Sequence, residues 1–212
     1  MILAIETSST VCSIALKAGD AIIEKNLKEA NRHSENLARM VQELLTENKV
    51  KNSDIKGLLI SGGPGSFTGL RIGMSFAKGF VLPAKIPMAL VNSMEAFIYT
   101  GKKNILKCAR PVCVIKSHRD NVFTGDIINF NDSKDIAYMD INEIQKKLPG
   151  VDLILTNDET IKIDNLYQVV NKLNASMLIN YFENSDRLKL SHDYNKMKLF
   201  YGMEYKAKLW KG

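Results

Sequence analysis

Cysteine is scarce in this chain of 212 residues: Cys12, Cys108 and Cys113 are odd in number and form no C-x-x-C pair. Neither a disulfide framework nor a zinc ribbon is signalled, and the three thiols read as small buried hydrophobes. Histidine is equally sparse. His33, His118 and His192 lie far apart, and no H-x-x-x-H or H-E-x-x-H spacing places two imidazoles on one helical face, so no metal centre is expected. Long apolar runs are missing too, none approaching the roughly 18 residues of a membrane span. The start, Met1-Ile2-Leu3-Ala4-Ile5-Glu6-Thr7, has no basic region and meets an acid at position 6. No membrane association is expected, and the reading is cytoplasmic.

What is present is the composition of a folded α/β protein: 45% hydrophobic and 25% charged residues, enough for a sizeable core. The formal net charge of +6 is concentrated at one end. Residues 187–212 hold seven Lys or Arg against Asp193 and Glu204, a balance of +5. Such a tail can meet nucleic acid, but its lysines alternate with Leu190, Tyr194, Met197, Leu199, Phe200, Tyr201, Tyr205 and Trp210. That mixture favours a docked segment whose cationic side chains cover apolar surface and keep their heads in water.

Along the chain, β-type runs fall at 2–6, 11–17 and 21–27, the last two separated by Ala18-Gly19-Asp20. Leu37, Met40, Val41, Leu44 and Leu45 then follow the i, i+3, i+4, i+7, i+8 pattern of a helical face over 31–48, with Asn31 or Ser34 as cap. A strand at 58–61, a helix over 68–81, a strand at 88–91 and a helix over 93–100 complete a β-β-β-α-β-α-β-α order. Three antiparallel strands followed by alternating elements predict a mixed sheet with helices on its faces. This is the half-unit of the actin-like (ASKHA), ribonuclease-H-like architecture. Expected next are a strand pair at 111–115 and 122–130 and further elements at 141–148, 151–156 and 175–182. The predicted organisation is thus an actin-like domain over 1–103 and a smaller, degenerate α/β domain over 104–212, its basic end packing back on the first.

Five of the 13 glycines crowd into 61–75, Ser-Gly-Gly-Pro-Gly-Ser-Phe-Thr-Gly-Leu-Arg-Ile-Gly-Met-Ser, between a strand and a helix start. Such a junction can cradle an anion or admit a close neighbour. The P-loop pattern fails, since no glycine of this segment precedes a lysine. The dinucleotide pattern fails because Gly63-x-Gly65-x-x leads to Thr68, and no acid ends the next strand. Ser66 lies in G-S-F, not in the nucleophile elbow G-x-S-x-G. Thr7, Ser8, Gly65 and Ser66 are weak phosphate candidates, a hydroxyl-rich turn being the plain alternative for the first two. No second glycine loop occurs in 104–212, which argues against an autonomous actin-like small-molecule kinase or ATPase, the rival reading. Within the helix, Gly69, Gly73 and Ala77 stand four apart, a bald stripe flanked by Ile72 and Phe76. It fits close packing on the protein's own sheet or against a helix of another chain.

Ile2-Leu3-Ala4-Ile5-Glu6-Thr7-Ser8, His33-Ser34-Glu35-Asn36-Leu37 and above all Gly63-Pro64-Gly65-Ser66-Phe67-Thr68-Gly69-Leu70-Arg71-Ile72-Gly73 resemble the TsaB family of bacterial tRNA threonylcarbamoyladenosine biosynthesis proteins, over residues 1–100. The resemblance implies a non-catalytic scaffold with no cofactor, bound to the transferase TsaD as a heterodimer or to a second copy when alone. It also implies that the ATPase TsaE docks on the assembled pair and that tRNA is met through the complex. The interface it implies is a helical bundle holding His33, Leu37, Met40, Val41, Gly69, Leu70, Ile72, Gly73, Phe76 and Ala77. Departures are Glu6, where the family commonly has aspartate, and Lys116-Ser117-His118-Arg119-Asp120-Asn121-Val122-Phe123, which replaces D-A-R-x-x-E-V-Y.

Overall fold

The structure is a computed structural model describing residues 1–27, 33–102, 105 and 108–202. Strands β1 (Ile2–Glu6), β2 (Cys12–Ala18) and β3 (Ala21–Leu27) form an antiparallel meander, closed between β2 and β3 at Gly19 with φ of 60°. Strand β4 (Gly57–Ser61) joins β1 in parallel and β5 (Met88–Val91) joins β4 in parallel, giving the order β3-β2-β1-β4-β5. Parallel neighbours need crossover helices, which α1 (His33–Glu47) and α2 (Phe67–Ala84) provide. Helix α3 (Ser93–Gly101) follows β5, with Asn92 accepting from the amides of Met94 and Glu95 at its start. The actin-like βββαβαβα order therefore stands as the sequence predicts.

Alternation along the central strands sorts the core into two layers. Leu3, Ile5, Leu58 and Ile60 face α1 and α2, whereas Ala4, Leu59, Ala89 and Val91 face the opposite side. That opposite side is covered by α5 (Ala175–Glu183), a helix from the far end of the chain that packs on β1, β2, β4 and α3. The Ala175 amide donates to Ser13 Oγ at 2.9 Å and the Ser176 amide to Glu24 Oε1 at 2.8 Å, fixing its first turn.

A second sheet, β10-β9-β6-β7-β8, is built from β6 (Pro111–Lys116), β7 (Asn121–Asp126), β8 (Ala137–Asp140), β9 (Leu153–Thr156) and β10 (Tyr167–Val170). The short helix α4 (Ile144–Lys147) lies between β8 and β9. The predicted strand 122–130 stops at Asp126, whose carboxylate accepts from the amides of Ile128 and Asn129 and turns the chain away. Helix α2 runs three residues past its predicted end. Pro83 sits in the final turn, and Lys85 at φ of 50° closes it with hydrogen bonds back to Leu82 and Val81.

Beyond α5 the chain returns along the first sheet without regular structure. Ser191 pairs antiparallel with Met88, both of their backbone hydrogen bonds being made, so the free edge of β5 is capped at its first residue. Tyr194 donates its hydroxyl to the Ile86 carbonyl at 2.9 Å, and the Phe200 amide donates to the Gly62 carbonyl at 2.7 Å. Tyr205 and Trp210, with the rest of 203–212, lie outside the described residues.

Candidate functional site

The glycine loop is filled by the chain itself. A Cβ on Gly63 would stand 2.0 Å from the Phe200 carbonyl oxygen, and one on Gly65 would stand 2.3 Å from the Ser8 carbonyl oxygen. The Ser66 amide donates to that same Ser8 oxygen at 2.7 Å. Thr7 and Ser8 are buried, and the Ser66 hydroxyl caps α2 by accepting from the Gly69 amide at 3.2 Å. Close approach explains the glycines, and what approaches is protein. A cleft of about 180 Å³ remains beside the loop, lined by Gly65, Ser66, Phe67, Thr68, Ser117, His118 and Tyr201, which neither Thr7 nor Ser8 reaches.

Under the loop lies a buried carboxyl. Glu6 Oε1 accepts from both the amide and the hydroxyl of Ser8 at 2.5 Å, while Oε2 has no partner among the described residues. Burial pushes Glu6 up from 4.5 to about 7, against the opposing pull of the Ser8 bonds. Cys12, buried beside it, is pushed up to about 12 by desolvation and by the Glu6 charge. Among the described residues no cluster of His, Cys, Asp or Glu could hold a metal ion, and no helix is long and apolar enough to cross a membrane.

The bald stripe of α2 turns inward, which corrects the expectation that it opens towards a partner's helix. A Cβ on Gly69 would stand 1.9 Å from the Thr7 carbonyl oxygen, and one on Gly73 would stand 2.3 Å from Thr7 Oγ1 and 2.9 Å from Ile60 Cδ1. Ala77 is fully buried in the same core. The small residues seat α2 on the end of β1 and on β4. Leu70 and Met40, also expected at the interface, are buried within the protein.

The outer side of α1 and α2 is different. Leu37, Ala38, Phe67, Thr68, Arg71, Ile72, Ser75 and Phe76 line a groove of about 500 Å³. A second, of about 390 Å³, continues past Ala38 and Phe76 to Val41, Leu45 and Phe80. Four of the expected residues line these two grooves: Leu37 and Val41 are buried at the floor, and Ile72 and Phe76 are half-buried along them. The His33 side chain lies outside the described residues. Sequence reasoning missed Phe67, Arg71, Ser75 and Tyr201. The first three share the outward face of α2 at i, i+4 and i+8, a spacing that could have revealed them. Tyr201 was legible only as one of the apolar residues of a docked C-terminal segment, because nothing periodic places that segment beside α2.

The profile of the family described as "TsaD: tRNA N6-adenosine threonylcarbamoyltransferase" matches residues 27–180. The chain is 39% identical over 94 residues to the tRNA threonylcarbamoyladenosine biosynthesis protein TsaB of Escherichia coli, covering 44% of this chain and 40% of that protein. Against that relative the chain therefore spans less than half the length. With the TsaB protein of Buchnera aphidicola subsp. Acyrthosiphon pisum it is 31% identical over 183 residues, covering 80% of each. A solved structure of a Pseudomonas aeruginosa protein, described as uncharacterized with similarity to the peptidase YeaZ, superposes with a TM-score of 0.74. It does so at 18% identity over 95% of this chain and 99% of that one, which shows the fold. With the G-P-G-S-F-T-G-L-R-I-G loop of residues 63–73 and a match over four-fifths of a TsaB protein, the chain belongs to the TsaB family of tRNA threonylcarbamoyladenosine biosynthesis proteins.

Proposed function

We propose that this chain is a non-catalytic scaffold of the threonylcarbamoyladenosine-forming machinery, binding and stabilising the transferase TsaD through the outer face of α1 and α2. The observation that carries this reading is the contrast between two surfaces. The glycine loop, where a related enzyme would seat phosphate, is packed with Thr7, Ser8 and Phe200, while the apolar α1–α2 groove stands open. A helix pair laid against that groove would bury the exposed parts of Ile72 and Phe76 in the manner of a four-helix bundle. In this reading the chain pairs with itself when alone, TsaE joins the assembled pair, tRNA is reached only through the complex, and the assembly works in the cytoplasm.

Sedimentation of the chain alone and with the TsaD of the same organism tests the proposal. The expected result is a one-to-one complex at micromolar concentration, with tRNA modification by TsaD rising when the chain is added. TsaD that sediments separately and modifies tRNA equally well without it would sink the reading. Calorimetric titration with ATP should show no binding to the isolated chain.

A further inference from the structure

At the end of the α1–α2 groove, two residues one turn apart on α2 meet a third from the far end of the chain. The Arg71 guanidinium lies 3.9 Å from the centre of the Phe67 ring, Tyr201 packs on Phe67 with centroids 4.8 Å apart, and Arg71 Nε donates to the Tyr201 hydroxyl at 3.4 Å. Arg71 is exposed and, among the described residues lining this groove, is the one that carries a charge. No carboxylate of the described residues pairs with it. Phe67 and Tyr201 hold the cation in place from beside, a pre-ordering that lowers the entropy lost when it meets an anion.

A second copy of this chain is poorly suited to supply that anion. Helix α2 contains no acidic residue. On α1, Glu43 already lies 3.8 Å from Arg39, Glu47 bonds Lys25 at 2.6 Å, and Glu35 is engaged within the chain. An isologous pairing of these helices would therefore offer Arg71 only carboxylates of α1 that already answer to another group, and none from α2.

We propose that Arg71, braced by Phe67 and Tyr201, is the specificity anchor of the docking face: it receives a carboxylate carried on an apolar helix of the transferase and thereby selects TsaD over self-pairing. This rests on α1–α2 being the docking face. The C-terminal segment, through Tyr201, becomes part of that face.

The test is titration of TsaD from the same organism with the wild-type chain and with Arg71→Ala, Arg71→Lys, Arg71→Glu and Ser75→Arg, beside sedimentation of each chain alone. Arg71→Ala is expected to weaken TsaD binding about tenfold or more, Arg71→Glu further, and Arg71→Lys less, as for a charged interface pair losing one partner. Self-association should change less than about twofold, the size of an ordinary exposed substitution. Thermal midpoints equal to wild type exclude misfolding. TsaD affinity within twofold for both Arg71→Ala and Arg71→Glu, with Ser75→Arg still abolishing binding, would overturn the anchor and leave the docking face standing. Equal losses in self-association and TsaD binding would overturn the choice of partner. If Ser75→Arg also binds TsaD normally, the docking face itself is wrong and the anchor falls with it.

Discussion

At Glu6 a single carboxyl sets a pH dependence. Its folded-state value, about 7, lies above its ordinary 4.5, so the folded protein holds a proton that the unfolded chain releases between those values. Stability from this group is fully present below the ordinary value and is lost as pH rises through about 7. The size is at most about 3 kcal/mol, from 1.36 kcal/mol for each unit of pKa. Urea midpoints of the wild type should therefore fall from pH 5 to pH 8, and those of Glu6→Gln should fall much less. An equal slope in both would place the titration elsewhere. A few residues away, Gly69 works by absence. Alanine there gains about 1 kcal/mol of helix propensity. Its methyl group would nevertheless stand 1.9 Å from the Thr7 carbonyl oxygen, a backbone atom that cannot swing aside. Gly69→Ala should lower stability by about 2 kcal/mol, as overpacking does, with any loss of TsaD binding following unfolding and not preceding it. A variant as stable as wild type would show that α2 can lift off β1.

Helix α2 divides its work by face. Gly69, Gly73 and Ala77 look inward to Thr7 and Ile60, whereas Phe67, Arg71 and Ser75 look outward. Four-residue spacing in the sequence announced a stripe that something must approach, but an own strand and a foreign helix require the same small residues. Only the three-dimensional path of β1 decides between them. Strand alternation and helix period made the first hundred residues legible, because each element there buries one continuous face. The edge strands β8 and β10 were not foreseen. Residues 137–140 and 167–170 are exposed or half-buried along most of their length, so no clean alternation marks them. The groove offers a test at this scale. Ser75 is exposed and lines it, so Ser75→Arg should fill the groove and leave the stability within about 0.5 kcal/mol of wild type. TsaD binding in a pull-down should fall about tenfold or more, as expected when a docking surface is blocked sterically. Full binding by that variant would move the partner to another surface.

Across the whole molecule, the end of the chain closes what its beginning builds. The first sheet is built from residues 2–91 and the second from residues 111–170, and α5 with residues 188–199 lies against the first of them. Leu188 and Leu190 pack beside α5, and Tyr194, Met197 and Leu199 pack on the α1–α2 side. Leu190 passes so near β4 that a Cβ on Gly57 would meet its Cδ1 at 2.5 Å. At the far end a Cβ on Gly202 would stand 2.5 Å from the Phe123 ring of β7, so one unstructured segment touches both sheets. Its charges are partly engaged on the way, Lys196 pairing with Asp193 at 2.8 Å and Arg187 bonding the Asn131 carbonyl. A chain ending at Ser191 would lose three half-buried apolar side chains from the first core, the Tyr194 bond to Ile86 and the Phe200 bond to Gly62. At about 1 kcal/mol for each half-buried side chain and each hydrogen bond, the cost is roughly 5 kcal/mol, comparable to the whole stability of a small domain. The shortened chain should melt far below the full one by circular dichroism, with amides of β4 and the glycine loop exchanging early. Because Tyr201 is gone as well, whatever folded protein remains should bind TsaD more weakly than Arg71→Lys does. A shortened chain with the full chain's melting temperature would mean that the segment rests on the surface without holding it together.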